Sequence, residues 1–175
     1  MQQDFYRIRP ATVADALAMA QVKQITWEAT YRGIYPDAKL DNYSIPENVQ
    51  KFEKIINAPD VDVWVAECNH EGHLYVCGYM SCGTPRYPFS RYDQEIGLLY
   101  ILPQHQGKGL GRQLFEKARE IIKLHGYDEF FVSCNKYNLP AQQFYLAMGG
   151  VLVQTDPDND DRSIPQVKFV YMIDD

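Results

Sequence analysis

The chain has 175 residues, 46% of them hydrophobic and 23% charged, which suits one domain with its own core and excludes a disordered chain. Its net charge of −6, without a long basic run, sets aside a general nucleic-acid binder. No stretch approaches the roughly 18 apolar residues that span a bilayer, and no apolar signal-peptide core opens the chain, so the expectation is a cytoplasmic protein with no membrane partner.

Phe5 to Arg9 alternates apolar and polar residues and reads as a strand ended by Pro10. Thr12 with Asp15 opens a helix reaching about residue 30, whose Val13, Leu17, Ala20, Ile25 and Trp27 supply the apolar surface. Tyr31 to Asn42 reads as a loop, and Ser44 with Glu47 caps a second helix near 45–57. Val61 to Cys68 and Leu74 to Cys82 form a hairpin whose turn is bracketed by His70 and His73. Glu95 to Leu102 is the most apolar strand, expected to be central and buried on both faces. Gly107 to His125 is an amphipathic helix, followed by a strand at 127–134 and a helix at 140–148. Val151 to Thr155 and Val167 to Ile173 are the last strands, with an acidic loop from Asp156 to Arg162 between them. The order implies a single α/β (α+β mixed) domain over 1–175, with a mixed sheet of about seven strands and helices on both faces.

None of Cys68, Cys77, Cys82 and Cys134 forms a C-x-x-C pair or stands near a histidine at zinc spacing. They read as reduced thiols, mostly buried, and no metal is expected.

The strongest signal runs from Leu98 to Gly111, where an apolar strand enters a glycine-rich turn that opens a helix. Unpaired N–H groups at a helix start carry partial positive charge, and glycines let a phosphate approach the backbone. The alternation of Gly107, Gly109 and Gly111 differs from a dinucleotide fingerprint, and the Gly-Lys-Ser/Thr of a P-loop is absent. A pyrophosphate site and a turn that merely packs helix on strand both remain open on this pattern.

Gln106-x-x-Gly109-x-Gly111 matches the Gln/Arg-x-x-Gly-x-Gly/Ala signature of the GNAT superfamily of N-acetyltransferases. Leu99 to Pro103 resembles that family's fourth strand. Asn138-Leu139-Pro140-Ala141-Gln142-Gln143-Phe144-Tyr145-Leu146-Ala147-Met148-Gly149 resembles its second motif. The resemblance covers nearly the whole chain.

It implies acetyl-CoA as co-substrate, with no metal. The pyrophosphate is expected on the turn formed by Gln106, Gly107, Lys108, Gly109, Leu110 and Gly111, with Arg112 close by. The pantetheine arm is expected along the backbone of Leu99, Tyr100 and Ile101, and Asn138 contacts the arm, caps its helix, or does both. Tyr145 is implied as the acid that protonates the leaving thiolate; as residues alone, it also reads as a core aromatic. Glu95 is implied as the base, directly or through water, with Asp93 nearby. Trp27 and Tyr31 are the implied acceptor residues, with Glu28, Tyr35, Asp156, Asp158, Asp160 and Asp161 as further candidates. The implied reaction is direct transfer to a primary amine in a ternary complex, the acceptor being a small amine or amino-acid-like molecule. The family also admits a homodimer. The alternative is a non-catalytic acyl-CoA-binding regulatory module, against which the presence of both Glu95 and Tyr145 speaks.

Overall fold

A computed structural model describes residues 5–158 and 165–174. Seven strands form one sheet in the order β1-β2-β3-β4-β5-β7-β6. They are β1 (Phe5–Pro10), β2 (Val61–His70), β3 (His73–Gly83), β4 (Glu95–Ile101), β5 (Glu129–Asn135), β6 (Val151–Thr155) and β7 (Gln166–Met172). The helices are α1 (Ala16–Tyr31), α2 (Asp37–Asp41), α3 (Ile45–Ile56), α4 (Leu110–Leu124) and α5 (Leu139–Ala147). Only β4 and β5 run parallel; every other neighbouring pair is antiparallel. Among the described residues, no helix is long and apolar enough to cross a membrane.

Alternation along paired strands assigns the two faces. Val65, Tyr79 and Tyr100 share a register row, and Phe52 of α3 and Trp27 of α1 pack on it. We call this the front face. Trp64, Met80 and Leu99 form the next row, and Lys117 of α4 lies 4.9 Å over the Trp64 ring, so α4 covers the back. Phe115 of α4 and Tyr145 of α5 meet Phe130, Phe169 and Tyr171 on that side. An ionic knot ties the first strands together: buried Glu67 accepts from Arg7 and Arg9, and Arg9 also binds buried Asp15.

Several expectations change. Val13, Leu17 and Ile25 are exposed; besides the expected Ala20, α1 buries Ala16, Met19, Val22 and Thr26. The expected loop at 31–42 contains α2, whose Leu40 is buried and whose Asp37 and Asp41 bind Arg32. The fourth helix starts at Leu110 rather than Gly107, because Gly107 and Gly109 take the left-handed φ values +72° and +82°. β4 is not buried on both faces: Ile96 is buried, while Leu98 to Ile101 are half-buried.

That last difference creates the site. β4 and β5 pair only at Glu95↔Phe131 and Ile96↔Val132. Pairing with β3 skips Gly97, a β-bulge that bends β4 where the parallel ladder stops. Beyond it the sheet opens as a wedge.

Candidate active site

A cleft of about 810 Å³ fills the wedge. Its floor is Leu99, Tyr100 and Ile101; one wall is α1 and the other is the start of α4 with α5. Leu102 N–H donates to the Cys77 carbonyl at 2.8 Å. By antiparallel alternation, the backbone groups of Tyr100 and Leu102 therefore turn to β3, and those of Leu99 and Ile101 turn into the wedge. The Ile101 carbonyl already accepts from Gln106 Nε2 at 2.9 Å. The Leu99 N–H and C=O and the Ile101 N–H are left as a strand edge onto which an extended amide-bearing chain can pair.

At one end of this floor lies the glycine turn. Gly109 is the N-cap of α4, and no side chain caps it, so the first amides of the helix remain for an anion. Gly107 and Gly109 are required for their backbone conformation, since a Cβ on either meets nothing within 4 Å. Gly111 is required for space: its Cβ would stand 3.3 Å from Phe144 and 3.4 Å from Ile101. Gln106, Gly107, Gly109, Gly111 and exposed Arg112 all line the cleft. Lys108 and Leu110 do not; Lys108 is exposed, and Leu110 is buried in the core, leaving it only backbone to offer.

Asn138 lines the cleft and also caps α5, its Oδ1 accepting from Ala141 N–H at 3.2 Å. Tyr31 lines the cleft as well, and its phenol is pushed above its ordinary value chiefly by burial. Tyr145 is buried yet lines the cleft, and burial holds its phenol well above its ordinary value, so it stays protonated. Its carbonyl accepts from Tyr171 Oη at 2.8 Å and Gly150 N–H at 3.0 Å, which fixes the end of α5 that carries the ring.

Glu95 does not line the cleft. It stands on the front face beside Phe131, at the point where the wedge begins. Burial raises its carboxyl from 4.5 to about 7, against the opposing pull of Lys168. Trp27 also lies outside the cleft: it borders a separate depression of about 430 Å³ and donates to Tyr100 Oη at 3.2 Å. Tyr31 and Tyr35 stack with centroids 4.5 Å apart, and Tyr35 Oη accepts from buried Asn135 at 2.8 Å.

The remaining acceptor candidates are already engaged. Glu28 binds Arg32, Asp158 binds Lys136 and Tyr137, and Asp156 accepts from Gln166 N–H. Asp160 and Asp161 lie outside the described residues. Sequence reading missed Thr26, Thr30, Tyr137 and Met148 as lining residues. Tyr137 stands next to Asn138 in the second motif, whereas Thr26 and Thr30, one turn apart on α1, carried no signal. Cys134 is half-buried and its thiol is pushed up to about 12 by burial, so it is no thiolate nucleophile at neutral pH.

Residues 20–149 match the acetyltransferase (GNAT) family. An uncharacterized N-acetyltransferase of Bacillus subtilis (strain 168), YuaI, is 30% identical over 149 residues, which cover 85% of this chain and 82% of that protein. The spermidine N(1)-acetyltransferase of Thermoplasma acidophilum is 24% identical over 85% of this chain and 90% of its own length. Among solved structures, the PaiA N-acetyltransferase of Thermoplasma acidophilum in complex with coenzyme A superposes with a TM-score of 0.76 at 20% identity, covering 96% of this chain and 99% of that one. YncA from Salmonella typhimurium with acetyl-CoA gives 0.69 at 21% identity, covering 98% and 95%. The chain belongs to the acetyltransferase (GNAT) family and is an acetyl-CoA-dependent acetyltransferase.

Proposed function

We propose that this acetyltransferase moves acetyl from acetyl-CoA to the primary amine of a small molecule by direct attack in a ternary complex. The observation that carries the reading is one continuous cleft bringing together the free strand edge of β4, the uncapped start of α4 and the protonated phenol of Tyr145. The turn from Gln106 to Gly111 holds the pyrophosphate, and the Leu99 N–H and C=O pair with the pantetheine amides. Asn138 steadies the rim beside them.

Glu95, through water across the wedge, takes a proton from the acceptor's ammonium and leaves the nitrogen lone pair free. That lone pair forms the new C–N bond at the thioester carbonyl. The Ile101 N–H faces the developing oxyanion. As the C–S bond breaks, Tyr145 donates its proton to the departing sulfur. The amide nitrogen then loses its remaining extra proton to solvent, and the phenolate is reprotonated. Tyr31 and Tyr35 border the acceptor's side, with Trp27 bracing Tyr100 behind them.

The name of the Thermoplasma relative supports an amine acceptor, and the protonated state of Cys134 supports direct transfer over a thiol intermediate. The four free cysteines fit a reducing compartment, the cytoplasm. Exposed Val151, Leu152 and Val153 on edge strand β6 fit a homodimer. Initial rates with both substrates varied test the order of events. Intersecting reciprocal plots are expected; parallel plots point to a covalent acetyl-enzyme and reject direct transfer.

A further inference from the structure

Beside the mouth of the wedge, on the front face, stands a charged group that the steps above do not use. After Ile96↔Val132, the next residues, Gly97 and Ser133, stand across the opening from each other. Gly97 leaves the β4 side bare. On the other side Ser133 pairs in register with Lys168 of β7, and Lys168 Nζ donates to Ser133 Oγ at 2.9 Å. The same ammonium lies 5.3 Å from the ring centroid of Phe89 and 5.7 Å from that of Phe131. Because side chains alternate and Glu95 pairs with Phe131, Glu95, Ser133 and Lys168 project from one face.

Lys168 is half-buried, and its close partners are a neutral hydroxyl and two rings. Among the described residues no carboxylate forms an ion pair with it; Glu95 and Asp156 act on it only at longer range. An ammonium held this way keeps most of its charge for an incoming anion. The carboxylates that would suit a polycation are spoken for: Arg32 binds Glu28, Asp37 and Asp41, and Lys136 binds Asp158. Among the described residues, Lys168 stands beside the wedge as a cation without an ion-pair partner, a charge opposite to what a polyamine requires.

We propose that the acceptor is an amine that also carries a carboxylate, an amino acid or other aminocarboxylate, with Lys168 and Ser133 seating the carboxylate while the amine faces the wedge near Glu95. This inference rests on the transfer reading above. Glu95 and Lys168 offer one proton acceptor and one cation on a single face, which matches the two ends of such a molecule and orients its nitrogen toward the thioester. Phe89 and Phe131 shield the ammonium from water, which strengthens the contact.

The test is steady-state thiol release from acetyl-CoA with matched acceptor pairs: L-amino acids, each against the amine left when its carboxylate is removed, with spermidine as the polycation. In the best pair the carboxylate-bearing member is expected to show kcat/KM at least about tenfold higher. Lys168→Met, which keeps the side-chain length against the rings, is expected to cut that preference about tenfold, mainly through KM; Lys168→Arg is expected to retain most of it. A thermal melt checks that each variant is folded. Decarboxylated amines or spermidine turned over as well as the acids, or an unchanged preference in Lys168→Met, overturns the carboxylate seat and leaves the transfer reading standing. No turnover with any amine, from protein that binds acetyl-CoA in calorimetry, overturns both.

Discussion

Replacing Glu95 by Gln separates its proposed role as the base from every other role of that residue. Burial lifts the Glu95 carboxyl to about 7, so roughly a tenth of the protein carries the carboxylate at pH 6 and roughly nine-tenths at pH 8. The acceptor amine titrates in the same direction, but it does so equally for both proteins. The ratio of wild-type to Glu95→Gln kcat/KM is therefore the clean quantity, and it is expected to rise about tenfold between pH 6 and pH 8. Stability moves the opposite way. A carboxyl whose folded value is raised keeps its proton in the fold after the unfolded chain has lost it, so its stabilisation is present at low pH and is lost as pH rises from 4.5 through about 7. The full difference corresponds to about 3 kcal/mol, an upper figure for a group that water partly reaches. Glu95→Gln carries no such penalty, so at pH 8 it is expected to melt higher than wild type while turning over more slowly. Rates across pH 5.5–9 with acetyl-CoA saturating, alongside thermal melts in the same buffers, measure both. A ratio that stays flat with pH refutes Glu95 as the base.

Tyr145→Phe removes only the phenol oxygen and is expected to lower kcat by about 10²-fold while leaving acetyl-CoA affinity within about twofold by calorimetry. Gly109→Val forces a β-branched residue into φ +82° at the uncapped helix start; an increase in KM for acetyl-CoA of at least about tenfold is expected, with a smaller change in KM for the amine. Glu67→Gln strips the carboxylate from the Arg7–Arg9–Asp15 knot and is expected to cost about 2–3 kcal/mol in urea unfolding at pH 7. Glu67 and Asp15 both have folded values below their ordinary ones, so their stabilisation is present above about pH 4.5 and lost as pH falls below it, and the Glu67→Gln difference shrinks in acid.

The parts of the site legible in the sequence were those where backbone geometry dictates residue type. Gly107 and Gly109 take positive φ and Gly111 touches Phe144, so each need writes itself as glycine at a fixed spacing. The strand that precedes them and the cap at Asn138 were readable for the same local reason. The stripe of α1 that faces inward was not. A helix apolar on several sides does not say which side packs, and Val13, Leu17 and Ile25 ended outside while Met19 and Val22 went in. Trp27 was implied as an acceptor residue by the resemblance, and its indole donates to Tyr100. The proposed carboxylate seat of Lys168 and Ser133 could not be found in the sequence, since the two lie 35 residues apart and meet only through the β5–β7 register. The wedge itself depends on a bulge at Gly97, which in the sequence is one glycine inside an apolar run.

The central claim is that the cleft carries acetyl transfer to an amine. The most direct measurement follows thiol release from acetyl-CoA against a panel of small amines and detects the acetylated amine by mass spectrometry. Thiol release is expected only when an accepted amine is present, with one acetylated amine formed per thiol. Protein that binds acetyl-CoA but yields neither thiol nor acetylated amine across the panel would contradict it and leave a binding module in its place.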